Sequence, residues 1–367
     1  MADPKISIVN TLNLSQRQEF LHYARDCAER AGSSLSDFRA LLRYRDRAYQ
    51  RQLNTTAEHI KAVRANMQGD ARKMQDITVP IIMPQIESAV AYQAGIFLTS
   101  HPIFGVVSTP DNMSAAMQFE TVLGDQSVRY GWPRELLKIF RDGFKYNFAA
   151  ACVYWKKTPL KSVVTDTNIS SAGLAAIKEY SYGGNCIMRV DPYNAFMDMT
   201  VAPADLHSDG EYFGWNGIIS RVQLKRLLSL LDSDKTTSAT EAFNSSFAGS
   251  GQDEASAMSY YTPEINKYLD LSTVNIGGNN WGQWMGLSQG STSKLSYKDH
   301  YVLTHFYCRA LPSDFGSRGN QVKMYHGIII NWSTVIFVEE LNVAYDSLPC
   351  FIMQPYEDGL GYQTQSM

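Results

Sequence analysis

The sequence has 367 residues, 44% hydrophobic and 19% charged, with a formal net charge of -3 and a pI near 6.2. That length can bury one large core or two smaller ones, and the slight acidity argues against a protein that coats nucleic acid, which carries a clear basic excess. Residues 1–18 lack a basic start followed by an apolar core, so they do not read as a signal peptide.

Five cysteines (Cys27, Cys152, Cys186, Cys308 and Cys350) are widely spread without a CxxC pair, and read as buried reduced thiols of a cytoplasmic product. The 21 tyrosines suit a protein with large contact surfaces.

From residue 15 to about 69 the pattern is helical and charged, with Phe20, Tyr23, Ala24 and Cys27 at helical spacing. The stretch SLSDFRALLRYRDRAYQRQ reads as the start of a second helix with Ser36 as its N-cap. Arg39, Arg43, Arg45, Arg47 and Arg51 make this helix basic. Such a face is either solvated or meets DNA or an acidic partner, which makes Arg43, Arg45 and Arg47 contact candidates.

DITVP then predicts an extended piece. IIMPQIESAVAYQAGIFLTSHPIFGVV is apolar, but Gln85, Glu87 and Gln93 interrupt it and Pro102 closes it, which excludes a bilayer span of about twenty apolar residues. A helix is expected over 84–98, with Pro84 in its first turn. Ile86, Val90, Ala94 and Phe97 share one face, and Ala89 and Gly95 would admit a neighbouring helix. If this face is buried, Ala94→Asp should destabilise the subunit by several kcal/mol.

HPIFGVVSTP predicts a short strand. A helical region over 114–147 breaks near YGWPRE, where Pro133 restarts it. Phe140, Phe144 and Phe148 read there as a core stripe.

FAAACVYWKKT opens a β-rich section. A strand, a turn at Asp191-Pro192 and a loop lead to a further strand over 212–220, and SRVQLKRLLSLL follows as an amphipathic helix capped by Ser220. Residues 232–296, rich in Ser, Thr, Gly, Asn and Asp, read as a polar, partly ordered loop in which Trp281 and Trp284 dock. HYVLTHFYCRAL, QVKMYHGIIIN and STVIFVEELN predict three consecutive antiparallel strands, with Asn331 and Trp332 near a turn. The fold class is therefore α+β, divided as 1–75 helical, 76–231 mixed, 232–296 loop and 297–367 antiparallel strands.

No phosphate-binding loop, GxGxxG, HExxH or GxSxG motif is present, so no cofactor and no catalytic residue is assigned. DLHSDGE, with Asp205, His207, Asp209 and Glu211, offers ligands for a divalent ion. A solvated turn explains the same letters without special chemistry. His300 and His305, at odd separation on a strand, face opposite sides and share no ligand set.

Three phrases together resemble the portal proteins of tailed bacteriophages. They are VPIIMPQIESAVAYQAGIFLTSHPIFGV, VDPYNAFMDMTVAPADLHSDGEYFGW, and the last strands with NVAYDSLPCFIMQPYEDGLGYQTQS. They cover about a third of the chain in the expected order.

The resemblance implies a ring, usually dodecameric, at one capsid vertex, with no enzymatic activity. Its implied partners are further copies of the chain, the major capsid protein, the terminase large subunit and head–tail adaptor or tail proteins. Double-stranded DNA would pass without sequence specificity, through a channel that must not grip phosphates. It also implies a helical and β-rich wing, with the last strands in a stem and clip whose turn at Asn331 and Trp332 is a contact site.

Portals of this kind continue into further core helices beyond the point corresponding to Met367. The resemblance thus implies either the N-terminal part of a longer chain or a short member, with crown and tunnel helices missing. The rival readings are a head–tail adaptor or minor capsid protein, and a metal-assisted hydrolase built on residues 205–211.

Overall fold

Seven apolar positions, Phe20, Ala24, Cys27, Ala31, Leu35, Phe38 and Leu42, recur every three or four residues and are all buried. This stripe carries one helix, α1 (Leu14–Tyr49), straight through Gly32 and Ser36. The expected second helix start at Ser36 is therefore corrected. Ser36 lies exposed in mid-helix, because packing of the stripe outweighs the weak helix preference of Gly and Ser, about 1 kcal/mol or less per residue. At 36 residues α1 is about 54 Å long.

The computed structural model describes residues 12, 14–49, 81–100, 102–164, 176–231, 300–316, 319–341, 347–357 and 361–363. The expected polar loop over 232–296 lies outside the described residues. So do Arg51, the tryptophans at 281 and 284, and the DITVP segment.

Three further helices follow in chain order: α2 (Ile82–Phe97), α3 (Met113–Arg129) and α4 (Trp132–Tyr146). The break between α3 and α4 falls where the sequence places it. Gly131 takes φ 65°, and Pro133 occupies the first turn of α4. HPIFGVV forms no strand, because residues 102–109 pair with no sheet edge.

Two antiparallel sheets complete the α+β architecture. The first has the order β2-β1-β8, from β1 (Ala149–Val164), β2 (Ala176–Val190) and β8 (Cys350–Met353). It is packed by α4 through Ile139, Ala149, Ala151 and Met353.

The second sheet runs β3-β4-β5-β6-β7. Its strands are β3 (Ala195–Met197), β4 (Tyr212–Ser220), β5 (His300–Ala310), β6 (Lys323–Ile330) and β7 (Thr334–Glu340). It joins strands from both sides of residues 232–299, so the expected division into 76–231 and 297–367 cuts one sheet and one core in two.

α1 covers one face of the five-stranded sheet. Phe20 lies so close to Gly327 that a Cβ there would stand 2.3 Å from its ring. A short helix, α6 (Arg221–Leu231), covers the opposite face with Leu224 and Leu228 on Ile328, Ile330 and Phe337. It begins with the cap expected at Ser220, whose Oγ accepts from Gln223 N at 3.4 Å while Ser220 N donates back to Gln223 Oε1 at 3.1 Å. All five cysteines are buried and free. Among the described residues no helix is long and apolar enough to cross a membrane.

Candidate interaction surface

α2 is held to the rest of the fold along one side only. Ile86 and Val90 are buried, and Glu87 between them accepts two hydrogen bonds from Arg141, at 2.9 and 3.0 Å, and a third from Tyr49 at 2.6 Å. The paired hydrogen bonds from Arg141 hold the Glu87 carboxyl below its usual range. The remainder of the helix is open.

Tyr92 is 74% exposed and Phe97 54%, although Phe97 also touches Phe140 at 6.2 Å. Ala94 is only half-buried, and Gly95 has no atom within 4 Å of its Cβ position. Of the expected apolar face, Ile86 and Val90 are buried while Ala94 is half-buried and Phe97 open, and the close neighbour expected at Gly95 is corrected: α2 lies at the edge of the fold, and no other described element covers its outer side.

The exposed apolar surface continues past α2. In the segment that leads away from it, Phe104 reaches Trp132 at 5.9 Å, while Val107 is 99% exposed. α3 then shows Met113, Met117, Phe119 and Val122 to solvent and buries only Gly124, Gln126 and Ser127 near its C-terminal end. That end is fastened by polar bonds. Gln126 Oε1 accepts from Asn185 N at 3.2 Å, and Tyr182 donates to Asp125 at 2.6 Å. α3 is thus apolar toward solvent and fixed by one end, the kind of exposed patch that suits an interaction surface.

The residues singled out in the sequence do not gather here. Arg43 is exposed on α1 and Arg47 is half-buried. Arg45 is buried and donates to the carbonyl of Tyr146, the last residue of α4, where a helix end leaves carbonyls without partners. Arg45 is therefore corrected from a contact residue to an internal tie.

Two other cations of α1 are also used inward: Arg17 bonds the Leu12 and Ile336 carbonyls, and Arg25 bonds the Trp332 carbonyl at 2.9 Å. Arg30, at the surface, pairs with Glu211 at 3.4 Å.

Trp332 is likewise corrected. It sits in the β6–β7 turn with φ 52°, after Asn331 at φ 49°, a pairing that suits the right-handed twist of a hairpin. Its indole is 2% exposed, donates to Asn216 Oδ1 at 3.1 Å and packs on Phe196 at 5.4 Å. The turn is not a free tip, because α1 lies across it. Asn331 is half-buried and pins β5, exchanging bonds with Val302 at 2.8 and 2.9 Å. Neither residue stands out from the subunit as a contact.

The acidic stretch coils rather than extends. Residues Pro203–Asp205 form a 3-10 turn and Leu206–Asp209 the single-turn helix α5, so the expected alternation to one side is absent. Glu211 is taken by Tyr23 at 2.5 Å, and Arg309 binds the carbonyls of His207 and Ser208. Among the described residues no three His, Cys, Asp or Glu side chains converge as metal ligands.

Two polar clusters lay beyond sequence reasoning. Fully buried Asp46 accepts from Tyr146 at 2.7 Å and from Tyr193, and pairs with Lys145, which ties α1 to α4 and to the Asp191-Pro192 turn. On the sheet, His326 Nδ1 lies 2.9 Å from Glu339 Oε1, and His305 Nδ1 lies 3.2 Å from His326 Nε2. The near-parallel imidazoles have centroids 5.5 Å apart, the spacing of rings meeting nitrogen to nitrogen rather than stacking face to face. With both neutral, His326 donates to Glu339 and accepts from His305. Trp215 and Tyr307 flank the pair at 4.9 and 4.3 Å, and this enclosure together with His326 lowers the His305 pKa to about 3.

No protein-family model and no curated protein sequence matches this chain.

Proposed function

We propose that this chain is the ring-forming portal subunit of a tailed bacteriophage, a structural conduit for DNA packaging and ejection and not an enzyme. The observation that carries the reading is the run of exposed apolar side chains along α2, residues 102–109 and α3, in a subunit whose five-stranded sheet is covered by α1 on one face and α6 on the other. Burying such surface yields about 25 cal/mol per Å², which drives association. When the matching surface lies elsewhere on the next copy, the contact is head-to-tail, and it gives a ring where the rotation between copies closes. The three portal-like phrases of the sequence supply the family.

In this reading α1 and the five-stranded sheet, which share one core, form the body of the subunit together with the first sheet and the remaining helices. The partners are the major capsid protein, the terminase large subunit and head–tail adaptor or tail proteins, within the virion. Arg17, Arg25 and Arg45 serve internal bonds and Arg30 is paired with Glu211 at the surface, which accords with a surface past which DNA slides.

The test is native mass measurement with class-averaged electron micrographs of the purified chain. A closed ring of about twelve copies with a central hole is expected. Val107→Asp, at a fully exposed position, should leave the subunit folded and monomeric. A wild-type chain that stays monomeric at high concentration overturns the reading. The same apolar surface also serves a head–tail adaptor, which the same measurement separates by a smaller ring or none.

A further inference from the structure

We propose that Cys152 and Cys350 form a disulfide across the β1–β8 pair, a reversible modification that clamps the four-residue edge strand β8 to the sheet. The two residues are direct cross-strand partners. Val153 N donates to Pro349 O at 3.1 Å, the flanking bond that marks Cys152 and Cys350 as a non-hydrogen-bonded pair. Opposed residues of that kind have Cα atoms about 4.5 Å apart, inside the range a disulfide spans. Both side chains point into the same core, each 1% exposed, while the neighbours Ala149 and Ala151 point to the other face. No strand register sets any other two of the five cysteines opposite one another.

The same geometry determines the character of the bond. In a non-hydrogen-bonded pair the Cβ atoms lie at the near end of the cross-strand range of about 4.5–5.5 Å, so a disulfide, which sets them about 3.5–4.5 Å apart, needs only a small approach of the strands. The linked and reduced sheets therefore differ by little backbone movement, and thiol–disulfide exchange interconverts them.

Burial pushes the Cys152 thiol up to about 12 and raises Cys350 as well, so the closed sheet is inert and reaction waits for β8 to peel away. The oxidant is a low-molecular-weight disulfide. The thiolate of one cysteine attacks it and releases one small thiolate. The second cysteine then attacks the mixed disulfide and releases the other. The two protons lost by Cys152 and Cys350 pass to the two leaving thiolates. The portal proposal would give the switch a setting, reducing during assembly and oxidising outside the host, but the chemistry does not depend on it.

The experiment incubates the reduced full chain with oxidised glutathione just below its melting transition, then blocks remaining thiols in denaturant and maps peptides by mass spectrometry. Expected are the loss of two thiols per chain, a peptide linking Cys152 to Cys350, and Cys27, Cys186 and Cys308 blocked as free thiols. Proteolysis of the chain beyond β8 should slow by about tenfold and recover on reduction. Cys350→Ala should form no internal link, carry at most one glutathione, on Cys152, and show no slowing, and Cys186→Ala should behave as wild type. Five thiols retained, glutathione left on one cysteine without closure, or a different pair linked, such as Cys27 with Cys308, would each overturn the proposal. None of these outcomes bears on whether the chain assembles into a ring.

Discussion

The five-stranded sheet and the α2–α3 layer are both rich in large apolar side chains, yet they end in opposite environments. In the sheet, Phe306, Ile329, Ile330 and Ile336 are wholly buried, with α1 on one face and α6 on the other. In the helical layer, Tyr92, Phe97, Val107 and Phe119 stand open, and polar bonds from Glu87, Asp125 and Gln126 do the holding. The sheet spends its apolar surface on the stability of one subunit. The helical layer leaves its apolar surface open, and it is fastened by these polar bonds together with the buried Ile86 and Val90. Substitutions should therefore separate cleanly, with folding lost in the first region and association in the second.

The largest effect is expected at Trp332. Trp332→Ala removes a buried indole and its bond to Asn216, and should cost about 3–5 kcal/mol in chemical denaturation. An unchanged midpoint would mean that the turn is not part of the core. Lys145→Met comes next. It leaves Asp46 buried with only its tyrosine partners and should cost about 3 kcal/mol. A double variant with Asp46→Leu should recover part of that loss, and failure to recover any would separate the two residues energetically.

The pH response sharpens the view of the sheet. His305 titrates at about 3 in the folded protein against 6.5 when unfolded, so below pH 6.5 the unfolded chain binds a proton that the folded chain refuses. Its contribution is complete above 6.5 and is lost as pH falls toward 3, with a slope of about 1.4 kcal/mol per pH unit. His305→Gln should flatten the curve in that window. Equal slopes in the two proteins would break the assignment.

The smallest effect on stability is expected in the helical layer. Tyr92→Ser and Phe119→Ser should each shift unfolding by about 0.5 kcal/mol or less while lowering assembly in ultracentrifugation. If either variant instead unfolds the subunit, the contrast between the two regions fails. Ala94, half-buried on the same helix, should tolerate Asp with a loss of about 1 kcal/mol, well below the several expected of a buried position.

What the amino-acid order determined by itself is what depends on a few neighbouring residues. The left-handed Gly131 before Pro133 set the break between α3 and α4. The pairing of Ser220 with Gln223 began α6, and short runs of apolar, β-branched and aromatic residues marked β4 to β7. The unbroken stripe from Phe20 to Leu42 was legible too, but local weakness at Gly32 and Ser36 masked it. The α+β class followed from these signals.

Tertiary structure decided which surfaces stayed open and where charges met. Arg45 turned inward because the end of α4 supplied a bare carbonyl 101 residues away. Trp332 was buried because α1 lies over its turn, a neighbour more than 280 positions earlier in the chain. His326 met Glu339 because a register shift between Ile328 and Ile329 displaced the pairing that counting back from the turn would give. The first two outcomes are contacts between segments remote in sequence, whose energy exists only once the layers have packed, and the third follows from an irregularity of the ladder that no local pattern announces.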